Sequence, residues 1–174
     1  MVLATIAAFS AMLALNEYLF RALEFAPGIN YVYLPAGMRL LCTLLFAEAG
    51  AVGLLVVSWA VNFLLFLPGQ FERPLWGGVI ASAGPYLVYR LARWRFGLGA
   101  SLASLTPARL LLLAVACSLV SPLLHHLYFA WAGQHDLLRG FVAMFIGDLT
   151  GTVIVIYGIK ALLALAPRVL PRTG

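Results

Sequence analysis

The first residue that could do chemistry is an arginine set inside an apolar run. Arg39 lies between Ala36-Gly37-Met38 and Leu40-Leu41-Cys42, in a stretch otherwise fit to cross a bilayer. A guanidinium in hydrocarbon costs from ~3 to more than ~10 kcal/mol, so it needs a counter-charge, water or a bound anion. Asp148, in Gly147-Asp148-Leu149-Thr150-Gly151, is the acid at a matching depth far along the chain. As a structural pair, Arg39 and Asp148 would neutralise each other and lock two helices together. As a functional pair, they would line a pocket in which an anionic or zwitterionic ligand competes for Arg39.

A second polar group gathers near one expected membrane surface: Asn16 and Glu17, then Asn30, Tyr31 and Tyr33, then His125, His126 and Tyr128. Such residues can form an interfacial belt. They can also form the mouth of an outward-facing ligand site, with Glu17 and one histidine as polar contacts. The candidate ligand-binding residues are therefore Arg39, Asp148, Glu17, His125, His126 and Tyr33. Adjacent histidines point about 100° apart on a helix, and His135 falls in a loop, so neither a metal site nor another cofactor is expected. A porphyrin held from two helices is disfavoured too, because the intramembrane histidines lie on one helix. The chain has no Ser/His/Asp spacing, no Gly-rich phosphate loop and no paired acids on one helix face, so a non-enzymatic role is expected. Cys42 and Cys117 each sit inside an apolar span and read as buried, inert thiols.

The elements that must position these groups follow from composition. Of 174 residues, 64% are hydrophobic and 10% charged, and the mean hydropathy is +1.02. That is far more apolar than a soluble domain, and it implies one polytopic, all-α membrane domain over residues 1–174. The net charge of +5 is carried largely by residues flanking apolar segments, Arg90 to Arg109 and Lys160 to Arg172. Anionic lipid, not nucleic acid, is the partner this pattern fits.

At ~20 apolar residues per crossing, about six spans are expected: Val2–Phe20, Tyr31–Ala47, Ala51–Leu67, Leu75–Leu91, Ala108–Trp131 and Leu138–Leu165. The first lacks a basic leader region and is expected to be retained as a helix. It carries Ala4/Ala8 and Ala7/Ala11 at the spacing of close helix contact. Pro27-Gly28 marks a turn. Pro35 suits a helix's first turn, so Tyr31 to Leu34 is expected to be extended, with the amides and positive dipole end of the next helix aimed inward. Glu48-Ala49-Gly50 and Pro68-Gly69 are further turns, and Pro85 predicts a kink. Gly97, Gly99, Ser101 and Ser104 make a flexible connection to a helix starting at Thr106-Pro107. Gly147 and Gly151 predict that Asp148 is buried against another helix. A short basic tail containing Pro167 and Pro171 closes the chain. Six spans place Arg90, Arg93, Arg95, Arg109, Lys160, Arg168 and Arg172 on one side, against Arg21, Arg73 and Arg139 on the other. Both termini are then cytoplasmic.

The order of landmarks resembles the bacterial membrane-associated sensor (MASE-type) domain. Pro35-Ala36-Gly37 opens a helix, Asn62 precedes Leu67-Pro68-Gly69, and Gly84-Pro85 lies in a helix ending Arg90-Leu91-Ala92-Arg93-Trp94. Ser121-Pro122 and Gly147-Asp148-Leu149-Thr150-Gly151 follow. The resemblance runs from about Asn30 to Leu165. It implies a sensory or ligand-binding module of the bacterial inner membrane that acts through a signalling partner, with Pro35, Gly37, Gly147 and Asp148 as structural and ligand-facing positions. Members usually carry an output domain; this sequence contains none, so a separate partner protein is implied. The alanine-rich first span and outward pocket are also similar to the substrate-binding S component of energy-coupling-factor vitamin transporters. A structural subunit of a larger membrane complex is the third class.

Overall fold

The computed structural model describes residues 1–98 and 105–165. The connection expected through Gly99, Ser101 and Ser104, and the basic tail with Pro167, Pro171, Arg168 and Arg172, lie outside the described residues. Five α-helices dominate: α1 Val2–Phe20, α2 Leu34–Val61, α3 Glu72–Phe96, α4 Pro107–Trp131 and α5 Leu137–Leu165. The segments Val2–Leu23, Leu34–Phe66, Pro107–Trp131 and Leu137–Leu165 are each long and apolar enough to cross a membrane. The helix α3 is not among them. Its apolar residues are diluted by Gly77, Gly78, Gly84, two prolines and the arginines at 90, 93 and 95.

Local chemistry explains most boundaries. Gly28, at φ +80°, turns the chain between two short antiparallel strands, β1 Glu24–Ala26 and β2 Ile29–Asn30. The expected turn is therefore a small hairpin inside an otherwise helical chain. Pro35 falls in the first turn of α2, where its missing N–H costs nothing. Thr106 caps α4 by accepting the Arg109 backbone N–H at 3.3 Å, and Pro107 follows in the first turn. α3 and α4 remain helical through Pro85 and Pro122.

α2 contains one break, at Ala47, whose backbone angles (φ 49°, ψ −123°) are non-helical. Beyond it Gly50 presses on the Cys42 carbonyl. That approach is impossible along a straight helix, where eight residues rise ~12 Å. The backbone thus reverses at Ala47, beside the turn expected at Glu48. The helical path ends in a π-type turn, Asn62–Phe66.

α2 packs against α1, α3 and α5, and α4 fills the space between α3 and α5. Three apolar clusters result. Phe9 and Leu13 of α1 meet Leu54 and Val57 beyond the break. Leu40, Leu44, Val88, Leu113 and Ala114 join α2, α3 and α4. Ile29, Phe129, Ala143 and Met144 seat the hairpin on α4 and α5. On α1, Ala4, Ala7 and Ala11 are exposed and Ala8 half-buried, while Thr5, Phe9, Leu13 and Asn16 face inward.

Candidate functional site

The site is built on the irregular backbone before α2. Residues 31–33 are non-helical and lie against α5, where the Tyr33 N–H donates to the Gly147 carbonyl at 3.0 Å. The Thr150 hydroxyl, which donates at 2.7 Å to the Ile146 carbonyl of its own helix, also lies 3.1 Å from the Tyr31 carbonyl. Gly147 and Gly151 permit this approach, because a side chain at either would collide with the carbonyl of Asn30 or Tyr33. The small-residue spacing was expected to seat a helix. Asp148 is indeed buried facing α2 and α4, and the groove without Cβ atoms also seats the non-helical chain before α2. The Leu34 N–H, expected to be free at the start of α2, donates to Asn16 Oδ1 at 2.9 Å. Gly37 packs directly on Val155 of α5.

One turn into α2, Arg39 is only 7% exposed. Its guanidinium lies 5.6 Å from the Phe9 ring centroid and 5.1 Å from that of Tyr33, so two aromatic faces share its charge. Nη2 donates to the Tyr33 hydroxyl at 3.4 Å. Nε and Nη1 have no partner. An arginine carries five N–H donors; one on Nε and two on Nη1 leave three unmade. Burying an unmade donor costs ~1–3 kcal/mol, so this is a costly group for the fold to keep.

Arg39 borders two spaces. One is a cavity of about 60 Å³ reaching from Arg39 past Tyr33, His125 and Asn62 to Arg73, Pro27 and Gly28. No aspartate or glutamate lines it. His125 is held there by its Nδ1, which donates to the Ser121 carbonyl at 2.8 Å, and by a contact with the Gly77 backbone. The Arg73 guanidinium lies 5.3 Å from the Phe129 ring centroid. The other space is a gap too narrow for a water, walled by Arg39, Asp148, Cys117, Ser118, Ser121 and Thr152. Asp148 is 3% exposed. Arg39 and Asp148 thus face one gap but make no ion pair within 4.0 Å. The direct bridge expected from the sequence is absent, because Tyr33 draws the guanidinium toward the hairpin.

The remaining candidates separate. Tyr33 and His125 share the cavity with Arg39. Glu17 is half-buried and lines a different groove, beside Arg21 and Glu24. His126 points to α5, packing on Gly140 and edge-on to Phe141, with its Nδ1 2.8 Å from the Pro122 carbonyl. Among the described residues, no cluster of three or more His, Cys, Asp or Glu could hold a metal. Sequence reasoning missed Arg73 and Asn62 as lining residues. A signal existed: Asn62 is a lone polar residue in an apolar run, and Arg73 immediately precedes the proline in the first turn of α3. The arrangement can hold a small polar group against fixed positive charge and carries no nucleophile–base pair. Compared with protein-family models, curated proteins and solved structures, the chain matches none of them.

Proposed function

We propose that this chain is a non-enzymatic sensory or ligand-binding module of the bacterial inner membrane, acting through a partner protein as the resemblance to MASE-type domains implies. The single observation that carries the proposal is the cavity at Arg39, a lined space holding a buried cation with unmade donors. A helix bundle that served only as scaffold would gain nothing from such a group, since an apolar side chain there is cheaper.

Six crossings with both termini cytoplasmic go with this function. The reversal at Ala47 divides α2 into two passes, and α3 adds another despite its diluted hydropathy. The Glu48–Tyr86–Arg90 group then marks the cytoplasmic end and the hairpin the opposite one. The basic residues Arg90, Arg93, Arg95 and Arg109 collect at the first of these ends, in keeping with their attraction to the cytoplasmic leaflet.

The test is native mass spectrometry of the chain extracted into lipid nanodiscs, together with identification of co-purifying proteins. A bound small molecule that disappears in Arg39→Met, and a kinase or cyclic-dinucleotide enzyme among the partners, are the expected results. An ATPase pair instead would favour the transport subunit, and an empty, partnerless protein would defeat both readings.

A further inference from the structure

Resting on that reading of the pocket, we infer that the ligand presents a small anionic group, a carboxylate or phosphate, which enters from the hairpin end and docks on Arg39. Four observations converge on this chemistry. The pocket's fixed charges are both positive, Arg39 at its floor and Arg73 near its mouth, and no acid lines it. Arg39 is buried, with Nε and Nη1 unpartnered. Nε and Nη1 lie on opposite sides of the guanidinium, so each can donate singly to a ligand oxygen while Nη2 stays on the Tyr33 hydroxyl. The volume of about 60 Å³ admits a head group but not a large solute. Asn62 adds a side chain able to donate to oxygen, and Phe129 and Met144 add an apolar wall for a short hydrocarbon portion.

Asp148 sharpens the assignment. It lines the gap that excludes water and not the cavity, and of the two residues only Arg39 borders both spaces. A cationic ligand would meet the two arginines first. An anion meets them first too, and completes the donors the fold leaves open.

The anion could be free in solution or the head group of a lipid, and the test separates the two sources. The full-length chain in phosphatidylcholine nanodiscs is titrated with sodium phosphate and with sodium acetate, with chloride as the control at equal ionic strength. The expected result is a saturable rise in Tm of several degrees for one of the two oxyanions. Arg73→Gln should need about tenfold more anion for the same rise, because it removes one of two attracting charges. Arg39→Gln should abolish the response; if it does not fold, Arg73→Gln carries the test. In a second arm, nanodiscs doped with phosphatidic acid raise Tm without added anion and blunt the phosphate response if a head group is the occupant. Unchanged behaviour there, with the phosphate or acetate response intact, assigns a free anion. No saturable response in either arm overturns the inference. A neutral molecule retained by the wild type and excluded by Ala81→Leu, which narrows the cavity, would overturn it while leaving the binding module standing.

Discussion

Two arginine–tyrosine pairs occupy opposite parts of the bundle and live under opposite conditions. Arg90 and Tyr86 are hydrogen-bonded at 3.3 Å, and Tyr86 donates in turn to Glu48 at 3.2 Å, all at the exposed surface. Arg39 and Tyr33 repeat the geometry in the interior, at 3.4 Å, with no carboxylate completing the chain. Exposed ion pairs contribute little, because water already satisfies both partners. Buried charge is where a counter-ion matters most. The fold bonds a carboxylate to the exposed pair, while at the buried pair Asp148 shares a gap with Arg39 without hydrogen-bonding to it.

The comparison breaks most completely if the inner pair loses its seat. Gly151→Val drives a side chain into the Tyr33 carbonyl, and overpacking of this kind costs ~3 kcal/mol or more. Loss of the monodisperse peak on size exclusion is expected, or a Tm collapsed by more than ten degrees, while Tyr86 and Arg90 are untouched in sequence. Next in size is Arg39→Met. It strips Asp148 of the one cation sharing its gap and should lower stability by ~2 kcal/mol, whereas Arg39→Met with Asp148→Leu should return to within ~1 kcal/mol of wild type. Additive behaviour in that cycle would mean that the two charges do not feel one another.

A smaller loss is expected from Asn16→Ala, which leaves the Leu34 N–H unmade at the start of α2 and should cost ~1 kcal/mol by thermal denaturation. Smallest is Tyr86→Phe, which cuts the exposed chain and should leave Tm unchanged within error. A larger effect there than at Asn16 would remove the contrast between the two pairs.

Hydropathy made the helices legible, and turn chemistry placed the reversal within a residue or so of Ala47. The burial of Arg39 followed from its sequence neighbours. What sequence could not supply was direction around each helix. Glu17 and His125 were assigned similar heights, yet only His125 faces the cavity, because height follows from counting residues along one helix and facing depends on which neighbours pack beside it. His125 and His126 illustrate the limit at one-residue resolution: one lines the cavity and the other packs on α5. The glycines at 147 and 151 announced a close approach and pointed to a helix. Extended chain from the other end of the sequence fills that place, and no local pattern encodes it.

The wall formed by residues 31–33 has a consequence for the order of assembly. Its anchor on α5 joins Tyr31 to Thr150, 119 positions apart. During synthesis α2 must enter the bilayer with its arginine long before α5 leaves the ribosome. Until then Arg39 has the Phe9 and Tyr33 rings beside it but not the α5 groove that holds residues 31–33 in place. α5 therefore completes a pocket that α2 opened, and a chain truncated before Gly147 would carry every lining residue without the groove that seats residues 30–33.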